Sequence, residues 1–264
     1  MDDMSRFTLD YIVNLAHQAG AMIVSGFQSK MGETWKADGT KVTATDIDIN
    51  QMVVDAVSRD FPTLRVIGEE GSNSVQQGDY ALVFDPNDGT TSFKAGIPVS
   101  SFCATLVCHG QPLITCIYDP FWERMYTAKK GEGAHCNGKL IQVSHHASLV
   151  RAQVGLGLWK GCRFNMLGAL AAILEADAKY SKPLSIAYWG ALVAAGEFDA
   201  TIFPSTNPWE TAAIKLLVEE AGGRVTDIFG NVQEHYDGEI RGHIASNGLI
   251  HDQLSAIMRE VNGL

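Results

Sequence analysis

Apolar positions recur at helical spacing at the start of the chain. Leu9, Ile12, Val13, Ala16, Ala19 and Ile23 share one face, which predicts an amphipathic helix. A polar, glycine-bearing stretch over 32–39 follows. Thr45 then reads as the N-cap of a second helix, with Ile49, Met52, Val53 and Ala56 on one face and Phe61-Pro62 at its end. Two short apolar runs come next, and both read as strands. Leu64 to Ile67 stops at Gly68-Glu69-Glu70-Gly71, and Tyr80 to Phe84 stops at Asp85-Pro86-Asn87-Asp88-Gly89-Thr90-Thr91. Phe102 to Val107 and Leu113 to Tyr118 flank His109-Gly110-Gln111-Pro112 and predict a hairpin.

The rhythm changes near Val150. A strand over Ala152 to Gly155 precedes a helix from Asn165 to Ala176, a helix from Gly190 to Gly196 and a strand from Asp199 to Phe203. A helix from Pro208 to Ala221, strands at Arg224 to Thr226 and His243 to Ala245, and a terminal helix complete the pattern. The first part is α+β and the second alternates as α/β. We therefore expect two parts, residues 1–147 and 148–264, sharing a large interface without a flexible linker.

Composition narrows the function. The formal net charge is −10, which disfavours general nucleic-acid binding. A small anionic substrate remains compatible if metal ions reverse the local sign. Cys103, Cys108, Cys116, Cys136 and Cys162 are odd in number and form no C-x-x-C pair, so structural zinc and a full disulfide framework are disfavoured. The acidic Met1-Asp2-Asp3 start lacks the basic opening of a signal peptide, and no apolar run approaches the ~20 residues a bilayer requires. A cytoplasmic protein with no membrane partner is expected.

The acids carry the chemistry. Glu69 and Glu70 end one strand, and Asp85 and Asp88 end the next, where open sheets hold ligands. Four acids gathered there would repel one another unless a hard divalent cation joined them, and Mg²⁺ suits a site that also holds phosphate oxygens. Gly89-Thr90-Thr91 can open a turn or short helix whose amides bind that phosphate. Asp-Pro-Asn-Asp-Gly is by itself also a good turn sequence. Thr43-Ala44-Thr45-Asp46, Glu69-Glu70 and Asn207-Pro208-Trp209-Glu210, which adds an acid in the first turn of a helix, tip the balance towards a metal site.

These pieces resemble the inositol monophosphatase family, in the superfamily that includes fructose-1,6-bisphosphatases and bisphosphate nucleotidases. The matching segments are Gly68-Glu69-Glu70, Asp85 through Phe93, and Asn207 through Ala213 with Glu220-Ala221-Gly222-Gly223. Lys36-Ala37-Asp38, Val42 through Asp46, and Tyr126-Thr127-Ala128 leading to Gly131 through Ala134 are smaller matches, all in the family's order. The resemblance implies a layered αβαβα sandwich and two or three Mg²⁺ per subunit. It implies that Glu69, Asp85 and the Asn87 carbonyl hold one metal, and that Asp85, Asp88 and Glu210 hold a second. Glu69 would reach a third. Gly89 and Thr90 amides would hold the phosphate, and Asp46 and Thr90 would orient and deprotonate the attacking water, with Glu69 in the catalytic set. Li⁺ sensitivity and a homodimer are likewise implied.

Three positions depart from the family pattern. Asn87 stands where an apolar residue is usual, and Glu210 stands where Asp is usual, one methylene longer. A common Arg-x-x-Gly-Ser segment is replaced by Lys182-Pro183-Leu184-Ser185, with Trp189 where an acid often falls. The candidate substrate contacts are Asp88, Ser185, Trp189 and Glu210. Trp189 either stacks on a substrate ring or packs in the core beside Tyr188. Asp46 through Asn50 opens like an EF-hand, but Gln51 and Val57 break that pattern, and Gly155-Leu156-Gly157 lacks the third glycine of a dinucleotide loop.

The expected function is Mg²⁺-dependent hydrolysis of a small phosphate monoester: a polyol, sugar or histidinol phosphate. The alternatives are a bisphosphate nucleotidase or sugar bisphosphatase with the same core, and a metal-binding paralogue that does not catalyse.

Overall fold

A computed structural model describes residues 3–29, 33–35, 41–71 and 78–264. The Lys36-Ala37-Asp38 segment lies outside them. The chain opens with α1 (Leu9–Ser29), then the antiparallel pair β1 (Glu33–Trp35) and β2 (Lys41–Thr43), then α2 (Ala44–Asp60). β3 (Arg65–Gly68), β4 (Tyr80–Asp88), the short helix α3 (Thr90–Lys94), β5 (Ser101–Cys108), β6 (Gln111–Asp119), β7 (Arg124–Lys129), β8 (Ala134–Cys136) and β9 (Lys139–Leu140) follow. The remainder is β10 (Gln153–Leu156), α4 (Met166–Glu175), β11 (Lys179–Ser181), α5 (Ile186–Ala194), β12 (Ala200–Phe203), α6 (Trp209–Glu220), β13 (Arg224–Thr226), β14 (His243–Ser246) and α7 (His251–Val261).

β3 to β9 form a seven-stranded sheet in sequence order, antiparallel except for the parallel β3–β4 pair. A five-stranded sheet runs in the order β11-β10-β12-β14-β13. Apolar cores between the sheets and helices hold five layers together. On one face of the larger sheet, Ile12, Ala16 and Ile23 of α1 and Ile49 and Val53 of α2 pack on Leu82, Phe84, Phe102 and Ala104. On its other face, Cys103 and Ile117 meet Ala187 and Ala191 of α5 and Ala213, Ile214 and Leu217 of α6, which also reach Val225 and Ala245 of the smaller sheet. The outer face of that sheet, Val154, Leu156, Ile202 and Ile244, is covered by α4 and α7. Burial of these side chains is the main favourable term, roughly 1.5–3 kcal/mol for each large aliphatic one. The result is an αβαβα sandwich.

Three element boundaries differ from expectation. Thr43, not Thr45, caps α2: its hydroxyl accepts from the Asp46 amide at 3.3 Å, and Asp46 Oδ2 accepts from the Thr43 amide at 2.7 Å. The two bonds together make a reciprocal capping box between Thr43 and Asp46. Thr45 is instead buried against Gly26 of α1. α5 starts four residues before Gly190, because Ser185 caps it by accepting from the Tyr188 amide at 3.2 Å. β4 does not stop at Asp85 but continues to Asp88.

Candidate active site

The irregular end of β4 forms the centre of the site. Asp85 pairs with Cys103 and Asp88 with Ser101, so three steps on β4 face two on β5. In a regular strand, residues three apart point to opposite faces. The bulge removes that parity and lets both carboxylates converge. Pro86, which has no amide to give the ladder, is tolerated at such a bulge. The Asn87 amide folds back on Asp85 Oδ1 at 2.8 Å.

Gly89 then turns the chain into α3. Its φ is +99°, and a Cβ there would lie 2.8 Å from the Leu184 carbonyl oxygen and 3.0 Å from that of Val99. Any side chain would therefore clash with backbone as well as sit in the left-handed region. The first amides of a helix have no intrahelical partner, so this edge presents donors.

Asp85, Asp88 and Glu210 offer carboxylate oxygens that all lie within 4.8 Å of one another, and all three residues are buried. Glu210 arrives from the first turn of α6, and its Oε2 is buried without a hydrogen-bond partner. Asp88 Oδ2 accepts from the Ser185 hydroxyl at 2.6 Å and from the Ala187 amide at 2.7 Å. Burial is the largest cause pushing all three carboxyls upward. The neighbouring charges of Glu69, Asp88 and Glu210 add to it for Asp85. Asp88 and Glu69 do so for Glu210. For Asp88 the donors from Ser185 and Ala187 partly offset burial, and its pKa is raised to about 7.

A cavity of about 470 Å³ is lined by Glu69, Asp85, Asp88, Glu210 and the Gly89–Ser92 edge. Glu69 follows β3, whose Gly68 lies beside Phe84 of β4, so the two strand ends open on the same side. Asp46 adjoins this edge: the Thr90 hydroxyl lies 3.3 Å from Asp46 Oδ1 and 3.2 Å from the Asn87 carbonyl oxygen. Burial raises the Asp46 pKa, and the donors from Thr43 oppose that rise. The Asn87 side-chain amide is buried close to Asp46 without a well-formed hydrogen bond.

Buried carboxylates with an orphaned oxygen and no cationic partner among the described residues are the donor set of a hard divalent cation. The residues present therefore fit a metal.

Ser185 and Trp189 do not line the cavity. Ser185 is buried beneath it, holding Asp88 and lying 3.0 Å from the Ser101 hydroxyl. Trp189 packs on Phe198 and Tyr188 at ring distances of 5.9 and 6.1 Å. The rest of the lining is Leu158, Trp159, Lys182, Pro183 and Leu184. Sequence reasoning passed over Leu158 and Trp159. The available signal was their position just beyond the carboxyl end of β10, the place where α/β sheets hold ligands.

Fold and site together define a hydrolase of the layered αβαβα class with a buried carboxylate centre for metal. The inositol monophosphatase family model matches residues 5–262, and the chain belongs to that family, whose members are phosphoric monoester hydrolases. A Thermotoga maritima protein named fructose-1,6-bisphosphatase/inositol-1-monophosphatase is 31% identical over 256 residues, covering 96% of each chain. Inositol monophosphatase 1 of Bos taurus is 30% identical over 240 residues, 87% of each chain. Among solved structures, the extragenic suppressor protein SuhB of Bartonella henselae superposes with a TM-score of 0.88 at 25% identity, covering 95% of this chain and 98% of that one. Among the described residues, no helix is long and apolar enough to cross a membrane.

Proposed function

We propose that the chain hydrolyses a small phosphate monoester with the help of two or three Mg²⁺. The observation that carries this reading is the buried triad of Asp85, Asp88 and Glu210 with mutual oxygen separations within 4.8 Å. Asp85, Glu69 and the Asn87 carbonyl would hold one ion, Asp85, Asp88 and Glu210 a second, and Glu69 would reach a third. Divalent cations held there would supply charge neutralisation for the phosphoryl group and a lowered pKa for water.

The protein's own groups account for the rest. The amides of Gly89 and Thr90 would receive the phosphate oxygens. The Thr90 hydroxyl, donating to Asp46 Oδ1, leaves its lone pairs free to accept a proton from the attacking water. Asp46 takes the proton onward. Its Oδ2 is held by the Thr43 amide at 2.7 Å, so the carboxylate cannot turn away. Ser185 fixes the rotamer of Asp88 rather than touching substrate.

A second reading, a sugar bisphosphatase, is favoured by the name of the Thermotoga maritima relative. Among the described residues lining the cavity, Lys182 is the one basic residue, which supports a substrate with a single phosphate. By family membership we further propose inhibition by Li⁺, a cytoplasmic location and a homodimer, the last testable by sedimentation equilibrium.

The test is phosphate release from a panel of monoesters, with and without Mg²⁺, in wild type and Asp85→Asn. The expected outcome is Mg²⁺-dependent turnover that Li⁺ suppresses and that falls by at least about 100-fold in Asp85→Asn. No Mg²⁺-dependent turnover across the panel would leave the metal-binding paralogue as the surviving account.

A further inference from the structure

Among the described residues, the cavity wall beyond the carboxylates and the 89–92 edge is Leu158, Trp159, Lys182, Pro183 and Leu184. This wall is poor in hydrogen-bonding side chains. Its polar heads are the Lys182 ammonium and the Trp159 indole N–H. A polyol leaving group with a hydroxyl on every carbon would meet mostly apolar surface here, at a cost for each group left unpaired.

Trp159 is 48% exposed, yet it is held in place. Its ring rests on Phe203 at 5.6 Å with an interplanar angle of 57°. Phe203 in turn lies 6.0 Å from His243. Gly157 makes room for that support: a Cβ there would sit 2.5 Å from Phe203 Cδ2. The loop is tied below the indole, with the Trp159 amide donating to Cys162 Sγ at 3.1 Å and the Cys162 amide donating to the Trp159 carbonyl at 3.3 Å. A large aromatic kept at a cavity wall by a shaped support is a pre-organised stacking surface. Lys182 is exposed beside it and is a compact point charge, suited to one acceptor group rather than to bidentate capture of a second phosphate.

We propose, building on the phosphatase reading, that Trp159 is a specificity-determining residue that stacks on an aromatic or heteroaromatic ring in the alcohol part of the substrate. Lys182 holds a single acceptor or anionic group on that ring. The substrate class is thus a ring-bearing phosphate monoester, not a bare polyol phosphate.

The experiment compares 2-phenylethyl phosphate with glycerol 2-phosphate and myo-inositol 1-phosphate, in wild type, Trp159→Ala and Trp159→Phe, reading kcat/KM with Mg²⁺. In parallel, intrinsic fluorescence is titrated with 2-phenylethyl phosphate, the difference between wild type and Trp159→Phe isolating this indole from the other four. The expected result is that wild type prefers the phenyl ester. Trp159→Ala lowers its kcat/KM at least about tenfold more than that of glycerol 2-phosphate, chiefly through KM, and Trp159→Phe keeps most of the preference. Fluorescence quenching is expected in wild type and absent in Trp159→Phe. Equal losses on all three esters, or a preference for the polyols, would overturn the proposal. If no ester is hydrolysed yet quenching persists, the stacking surface stands and the hydrolase reading fails. If both are absent, both readings fall.

Discussion

Asp88 and His251 are both buried, and burial drives both towards their neutral forms. The Asp88 pKa rises to about 7. That of His251 falls to about 4, with the nearby Arg224 guanidinium as a lesser cause. His251 is held by Thr226 and Ser246 hydroxyls at 2.9 and 2.8 Å. Its ring stays neutral in the fold while the unfolded chain takes up a proton below pH 6.5. This contribution to stability is therefore present above pH 6.5 and is lost as pH falls towards 4, about 3 kcal/mol in all. In urea unfolding, His251→Gln is expected to flatten the fall in stability between pH 6.5 and 4 relative to wild type; parallel curves would contradict this. Asp85 and Asp88 were legible as candidate ligands once Glu69-Glu70, Asp46 and Glu210 were read beside them, since their own segment also has the composition of a turn. The role of Ser185 was not, because its grip on Asp88 joins segments far apart in the chain. Trp159 was passed over because a lone loop tryptophan has no spacing signal, and only its place after the end of β10 points to it.

At the level of elements, the site depends on two irregularities: the bulge in β4 and the left-handed turn at Gly89. Gly89→Ala would drive a Cβ against the Leu184 and Val99 carbonyl oxygens while keeping a φ of +99°. It is expected to cost at least about 2 kcal/mol in urea unfolding and to abolish phosphate release. A variant of wild-type stability and activity would show that the turn is not constrained in this way. The strand runs before Asp85 were readable, since continuous apolar residues mark strands buried on both faces. The continuation through Pro86 was not, because Asp-Pro-Asn-Asp-Gly has the composition of a turn and only pairing with β5 makes it strand. Short β8, β9 and β11 escaped for the same reason. Their two or three residues carry no measurable period, and neighbouring strands define them.

Across the whole molecule, α6 lies between the two sheets and carries Glu210 to the end of β4. The change of rhythm near Val150 showed an α+β part followed by an α/β part, while the layering itself was implied by family likeness. The meeting of Glu210 with Asp85 and Asp88 was implied by family likeness rather than by any local pattern. The fold thereby gathers carboxylates that repel one another. Because the Asp85 and Asp88 pKa values are raised, their contribution to the stability of metal-free protein is full below the unfolded value of 3.8 and is lost as pH rises through the folded value, about 7 for Asp88. Above that pH the cluster is a liability that a bound cation would convert into an asset. The melting temperature at pH 8 of wild type and Asp85→Asn, each stripped with EDTA and then given saturating Mg²⁺, tests this most directly. Without metal, Asp85→Asn should melt at or above the wild-type temperature. With Mg²⁺, wild type should rise and the order should reverse. A wild-type melting temperature unmoved by Mg²⁺ would contradict the claim that these side chains share divalent cations.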